Sequence, residues 1–566
     1  MTKEKILTGG DLLVQALVNE NVQYIFGVPG GQLLTVYDAI YRWGREQGID
    51  SIMFRHEQAA AHAADAWARV TGKVGVCMGT VGPGATHMLS GIATAWSDSI
   101  PVLVITPQVT DNQLDIGFLQ GDLDQIAIYK PVVKSQKQIP RTDRVIEYVQ
   151  RAFREAYSGR PRPVHIDIPY QVLAKSVDKE ISCPEPSHYR PASNPAANPE
   201  LVQQAVTTLL KAEKPLMIVG GGVPLKAKKD LNDLAEYLKI PMMGTVMGTS
   251  RIRKGVSSYI GGPGLFYYNT QKAIMESDLV LAFGTRFGMS LLFGKEPFWR
   301  PELPVIQVDI DPSEIGKNRP INLGIVGDAE LVLKQMLDII RKQTSEVKQE
   351  SEWLKTLKEA RDKYMNGMKK RLSEKIPIKP QRLIKEVDEF MEDDAIVILD
   401  GGDIAFFALD QIHMYRPRTT LQAIGMGHLG TSIPYAIGAK LADRKKPVYT
   451  ISGDGSIIIN IQDLETAKRY GLPFICIISN NNAWGMIKSG QHYGYKKRYI
   501  DVDFSDTNFA DIARGFGCFG ERVTDPKEIK NALQRAKDSN LPALIDVVTD
   551  DSAHDIDKVG YESMNF

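Results

Sequence analysis

The sequence predicts an α/β protein built from three successive doubly wound parallel-sheet domains. Three observations lead there. The chain has 566 residues, more than one hydrophobic core organises. Short apolar runs with strand character alternate with helical segments, and this pattern recurs three times. Several of the apolar runs end in glycine-rich turns, as at Pro29-Gly30-Gly31, Gly82-Pro83-Gly84 and Gly453-Asp454-Gly455. In parallel sheets, strand ends of this kind open onto the edge where ligands gather.

Taken in order, residues 1–185 form the first domain. Asp11 to Asn19 places Leu12, Leu13, Ala16 and Leu17 on one helical face. Strands are predicted at Tyr24 to Val28, Ser51 to Phe54, Val74 to Met78, Val102 to Thr106 and Val164 to Ile168, the last closing the sheet. An alanine-rich helix runs from Glu57 to Val70. The stretch from Ser182 to Pro199 is rich in Pro, Ser, Ala and Asn and reads as a linker. A second unit, 195–340, has its clearest strands at Leu216 to Val219, Leu279 to Phe283 and Val305 to Ile310. Residues 341–379 alternate Glu and Lys and read as a helical connector with a solvated face, apart from Trp353, Leu354 and Leu357. The third unit, 380–550, has strands at Ala395 to Leu399, Val448 to Ser452, Phe474 to Ser479 and Ala543 to Val548. Residues 551–566 show no core pattern and read as a tail.

Composition excludes some classes of function. Lys+Arg and Asp+Glu are both 68, so no charge excess points to nucleic acid or an anionic membrane. No apolar run reaches transmembrane length, and the charged MTKEK start lacks a signal-peptide core. A cytoplasmic location follows as the default. Cys77, Cys183, Cys476 and Cys518 show no CxxC spacing, and three of them sit in or beside apolar segments and read as small core residues.

The densest motif spans residues 447–486, PVYTISGDGSIIINIQDLETAKRYGLPFICIISNNNAWGM. Gly-Asp-Gly alone is an ordinary turn. Here it follows one strand, and Asn480-Asn481-Asn482 follows the next, so Asp454 and Asn481 come side by side on one sheet edge. Hard oxygen ligands with open positions suit Mg²⁺ when phosphate completes its shell. In the first domain Glu57 opens the alanine-rich helix, where an acid complements the macrodipole by a few tenths to about 1 kcal/mol. His56, Glu57 and His62 do not have the HExxH spacing of a zinc site.

This 40-residue stretch resembles the thiamine diphosphate signature, GDG followed at a distance by NN. RHEQAAAHAADAWARVTGKVGVCMGTVGPGATH resembles the pyrimidine-binding domain of acetohydroxyacid synthase-like enzymes, and the likeness covers essentially the whole chain. It implies the thiamine diphosphate-enzyme fold and a lyase or transferase working beside a carbonyl. It implies Asp454, the Asn481 side chain and the Ala483 carbonyl as Mg²⁺ ligands. Gly402, Gly453, Gly455, Ser456, Trp484, Gly485 and Met486 would line the diphosphate, and Gly31, Pro83 and His87 the rest of the coenzyme. The resemblance makes Glu57 the acid that bonds the aminopyrimidine N1′ and promotes the imino form that takes the C2 proton. Gly427 would offer a carbonyl to the amine, and Leu429 would wedge between the rings; as a plain sequence feature Leu429 is equally a helix-start core residue. Where many relatives have GPGxTN, this chain has His87.

Substrate is less sharply drawn. Phe26-Gly27-Val28-Pro29-Gly30-Gly31 and Gln120, which falls near a glutamine beside the reacting carbon, favour an acetolactate-type reaction on pyruvate. The run LLFGKEPFWRPELPVIQVDI is nearer the 2-hydroxyacyl-CoA lyase and oxalyl-CoA decarboxylase branch, and the Trp-Gln pair of the synthases is missing after the asparagines. In the middle domain Arg286, Asp309 and Asp328 fall where relatives border an FAD or ADP site. An NAD-dependent dehydrogenase is the rival of another class, weakened because IVGGGVP is not GxGxxG. The resemblance further implies a homodimer or homotetramer with active sites between subunits.

Overall fold

The computed structural model describes residues 7–178, 181–262, 268–344, 347–369, 372–412 and 419–551. The predicted tail lies outside them from residue 552 onward. Three parallel sheets of six, five and six strands are present, and every strand pair in them is parallel. In spatial order the first sheet runs Asp50–Met53, Tyr24–Gly27, Gly75–Met78, Val102–Gln108, Val164–Pro169, Ser135–Gln138. The third runs Thr419–Leu421, Ile396–Leu399, Val448–Gly453, Ile475–Asn480, Ala543–Val548, Phe519–Val523. Counted in chain order, both follow the same path, 2-1-3-4-6-5. The five-stranded sheet (Met242–Gly244, Pro215–Val219, Leu279–Phe283, Val305–Asp309, Leu323–Val326) begins the same way.

In each sheet the order reverses between the first and third strands, and ligands of doubly wound sheets bind at that switch point. In the first sheet the turns there are Pro29-Gly30-Gly31 and Gly82-Pro83-Gly84. In the third they are Asp400-Gly401-Gly402-Asp403 and Gly453-Asp454-Gly455. In the second, Gly220 and Gly284 face each other so closely that a Cβ on Gly220 would lie 2.0 Å from the Gly284 carbonyl oxygen. Here the glycines serve backbone packing.

The chain folds into two compact units. One comprises residues 1–193, 423–445 and 459–472; the other comprises 194–422, 446–458 and 473–566. The first boundary falls inside the predicted linker. Within the first unit the helix Ser432–Ala442 packs on the alanine-rich helix Glu57–Thr71, and small residues allow the approach. A Cβ on Gly438 would sit 2.3 Å from the Ala63 carbonyl oxygen. The seam encloses one fully paired charge cluster: Arg69 donates to Asp65 (2.8 and 3.0 Å) and to Asp98 (2.8 Å), and the Tyr435 hydroxyl also donates to Asp65.

Some strand predictions need correction. Val164–Pro169 does not close the first sheet; Ser135–Gln138 lies outside it, an edge strand too polar (SQKQ) to read as one. Met242–Gly244, Leu323–Val326, Thr419–Leu421 and Phe519–Val523 are further strands, each short or partly exposed. The predicted connector contains the helix Glu352–Lys369, whose Trp353, Leu354 and Leu357 are buried in one core with Leu216, Ile218 and Val280 of the middle sheet. Cys77, Cys476 and Cys518 are buried and Cys183 is half-buried; all four are free thiols.

Candidate active site

In the second unit the strand Val448–Gly453 delivers Asp454 to the sheet edge, where its carboxylate is buried. Oδ1 accepts the Gly455 N–H at 2.9 Å, whereas the buried Oδ2 has no hydrogen-bond partner. Burial pushes this carboxyl up to about 7, and the nearby Asp403 charge adds to the rise; the N–H groups of Gly455, Asn482 and Ala483 oppose it. A buried anionic oxygen without a donor is costly unless a cation meets it.

The next strand, Ile475–Asn480, delivers the asparagines. Asn481 Oδ1 accepts the Ala483 N–H at 3.2 Å, and its Nδ2 lies 3.5 Å from Asp403 Oδ2. The Ala483 carbonyl accepts the Gly485 N–H at 2.9 Å, which leaves its second lone pair for another partner. Two neutral oxygens and one orphaned carboxylate oxygen make a hard donor set suited to Mg²⁺.

Several helices start around these residues. The helix Gly485–Gly494 begins beside them, and Gly485 has no room for a side chain: a Cβ would lie 2.2 Å from Asp403 Oδ2 and 2.8 Å from Asn481 Nδ2. Gly402 packs against Met486, and Gly455 against the Trp484 ring, which itself meets Phe504 edge-on at 5.1 Å. Ser456 is fixed by donating to buried Asp400 at 2.6 Å. Free N–H groups at helix starts attract phosphate oxygens. Asp403 was not singled out from the sequence. It heads the helix Asp403–Ile412, accepts the Ile404 N–H at 2.8 Å, and burial raises its pKa. Its only sequence signal is the Asp-Gly-Gly-Asp run after the first strand of this sheet.

The first unit holds the other candidate residues. His56, not Glu57, caps the alanine-rich helix, its Nδ1 accepting the Gln58 N–H at 3.1 Å. The buried Glu57 carboxylate is thereby released from capping and places Oε2 2.9 Å from His87 Nδ1. His62 lies elsewhere, fully buried with its ring edge-on to His428 at 4.5 Å. Pro83 opens the helix that carries His87, after Gly82 at φ +70. Gln120 lies over that glycine: a Cβ on Gly82 would sit 3.1 Å from the Gln120 Cβ. Gln125, which lies in the stretch after Gln120 that resembles the family's substrate loop, accepts the Gly82 N–H at 2.9 Å and donates to Asp167 at 2.7 Å, anchoring the turn. Of the Pro29-Gly30-Gly31 turn, Gly30 is the crowded member, against Thr80, while Gly31 faces open space.

Gly427 takes φ +64 with open space about it, and Leu429 is half-buried just before the Ser432 helix instead of sealed in a core. In the middle sheet Arg286 is exposed and Asp309 accepts the Asp311 N–H at 3.0 Å. Asp328 is buried as the cap of the helix Ala329–Gln343 and takes the Asn194 amide at 2.6 Å.

The second unit thus brings a buried carboxylate oxygen without a donor to a sheet edge beside helix starts, and the first a buried acid beside glycine turns. These define a class, enzymes that bind a coenzyme carrying a diphosphate. Comparison with known families narrows it. Residues 7–128 match the N-terminal TPP binding domain of thiamine pyrophosphate enzymes, 202–336 their central domain and 400–547 their C-terminal TPP binding domain. The chain is 35% identical to a probable acetolactate synthase large subunit of Methanococcus aeolicus, over 97% of this chain and 93% of that one. It is 34% identical to the acetolactate synthase large subunit of Haemophilus influenzae, over 97% and 96%. An acetolactate synthase of Arthrospira platensis is 37% identical over 96% and 94%. The chain belongs to the thiamine pyrophosphate enzymes, in their acetolactate synthase group. These relatives do not favour the acyl-CoA branch or the dehydrogenase. Among the described residues no helix is long and apolar enough to cross a membrane.

Proposed function

We propose that this enzyme joins two molecules of pyruvate into acetolactate with release of one CO₂, using thiamine diphosphate and Mg²⁺. The observation that carries the reading is the buried Asp454 Oδ2 without a donor, at the end of the strand paired with the one that leads to Asn481 and Ala483. Such a group fits a divalent cation, and the cation would in turn hold the diphosphate. The bound coenzyme supplies an electron sink for carbon–carbon bond cleavage beside a carbonyl. The chain's own residues do the rest. Asp454, Asn481 and Ala483 hold Mg²⁺; Gly402, Gly453, Gly455, Ser456, Trp484, Gly485 and Met486 line the diphosphate. Glu57 holds or gives a proton at the aminopyrimidine N1′. Gly31 and Pro83 border the coenzyme, Gly427 offers a carbonyl, and Leu429 holds the ring geometry. Gln120, fixed over Gly82, orients the substrate. Arg286, Asp309 and Asp328 border a nucleotide, FAD or ADP, in the middle domain.

One coenzyme needs both half-sites, and we read them as supplied by different subunits of a homodimer or homotetramer. Large exposed apolar side chains beside the site motifs support association: Ile116 and Leu119 flank Gln120, and Ile487 follows Met486, each more than half exposed. The test is acetolactate formation from pyruvate, with and without thiamine diphosphate and Mg²⁺, beside a 2-hydroxyacyl-CoA as competing substrate. Acetolactate that needs both additions supports the reading. Cleavage of the acyl-CoA alone, or turnover without thiamine diphosphate, refutes it.

A further inference from the structure

His87 stands where the resemblance leads one to expect an asparagine, and its ring is spoken for. Nδ1 lies 2.9 Å from Glu57 Oε2. The ring is held from behind by His56, stacked at 4.5 Å between centroids with the planes 26° apart. His56 cannot take the same role through Nδ1, because that nitrogen accepts the Gln58 N–H and so bears no proton. Burial lowers the pKa of His56. The backbone under His87 is fixed as well: the Pro83 helix starts at Gly82, whose N–H is tied to the buried Gln125. With Glu57 ionised, its carboxylate only accepts, and the imidazole nitrogen facing it carries the hydrogen. That is Nδ1–H, the less common tautomer of a free imidazole.

We propose that His87 is a positioning residue for Glu57. Its Nδ1–H holds Oε2, so that Oε1 is the oxygen left to meet the coenzyme. The inference rests on reading Glu57 as the acid at the aminopyrimidine. It assigns to this chain a second, imidazole element in that acid's placement, where an asparagine would offer an amide. The arrangement is compact: donor atoms of His56, Glu57 and His87 all lie within 4.8 Å of one another.

Two measurements test it. The first uses the apoprotein with ¹⁵N-labelled histidine near pH 8, with the His87 signals assigned by their loss in His87→Asn. Wild type is expected to show His87 as Nδ1–H, and Glu57→Ala to return it to Nε2–H. The second follows hydrogen–deuterium exchange at C2 of bound thiamine diphosphate, alongside coenzyme affinity. His87→Ala is expected to slow exchange about tenfold with the dissociation constant held within about threefold, and His87→Asn to recover most of the rate. Glu57→Ala serves as the control and should slow exchange by about 100-fold or more. If Glu57→Ala leaves exchange unchanged, the reading of Glu57 falls and the inference with it. If Glu57→Ala slows exchange while His87→Ala does not, only the positioning role falls. An Nε2–H tautomer in wild type overturns it too.

Discussion

At the scale of single residues, the contrast between Asp454 and Asp463 shows what burial does to a carboxyl with and without partners. Asp463 is fully buried in the first unit, but both its oxygens have partners: Oδ1 accepts the Arg55 N–H at 2.9 Å and the Thr466 hydroxyl at 2.8 Å, and Oδ2 the Gln462 amide at 3.5 Å. Burial still raises it from 3.8 to about 6. The folded chain therefore binds this proton more tightly than the unfolded one. Stability is lost as pH climbs from about 4 to about 6 and is flat above that. Asp463→Asn should remove this loss, so its melting temperature relative to wild type rises between pH 4.5 and pH 7, by about 1–3 kcal/mol in stability. A constant difference across that window would refute the account. Asp454 Oδ2 has no such partner, and we predict that Mg²⁺ supplies it. Asp454→Ala should weaken Mg²⁺ binding by about 100-fold or more, read by titration calorimetry in the presence of thiamine diphosphate. Gly485→Ala should do comparable damage without touching a ligand, because its methyl would displace Asp403 and Asn481. Unchanged Mg²⁺ affinity in Gly485→Ala would show that the clasp tolerates the shift.

At the scale of elements, legibility followed how local the information was. Asp454 and Asn481 end adjacent parallel strands joined by one short connection, so their pairing could be read along the chain. Asp403 ends a different strand, and nothing along the chain ties it to Asn481; the Ile396–Leu399 strand had to be paired with Val448–Gly453 first. The role of His56 was hidden for another reason. A ring nitrogen caps a helix as well as a hydroxyl does, yet histidine is not among the residues that signal a cap. Interior strands such as Val102–Gln108 are apolar on both faces and were legible, while edge strands such as Ser135–Gln138 need only one neighbour and no apolar pattern. The seam between the Glu57 and Ser432 helices is exacting packing, since Gly438 fits only for want of a side chain. Gly438→Ala should destabilise this unit by about 1–3 kcal/mol, seen as a fall of several degrees in its melting transition. An unchanged transition would mean the helices separate at little cost.

At the scale of the whole molecule, two sheets share one strand path, and each brings its own pair of glycine turns to its own switch point. Repetition of the path was foreseeable from three rounds of strand and helix; the division of labour was not, because it depends on which side chains the turns carry. One sheet received an acid beside a histidine, another a buried carboxylate without a donor, and the middle sheet a close approach of facing glycines. Our reading has a single coenzyme draw on both ends and assigns those ends to different subunits. That assignment can be tested without any further structure. Glu57→Gln and Asp454→Ala should each be inactive alone. Co-expressed and purified as hybrids through two different tags, they assemble dimers in which one of the two sites draws Glu57 and Asp454 from intact copies, while the other combines both defects. A random mixture is half hybrid, so it should recover roughly a quarter of the wild-type rate, and isolated hybrids roughly half. If each site were built within one subunit, every site in the hybrid would carry one defect, and activity would stay at the level of the single variants.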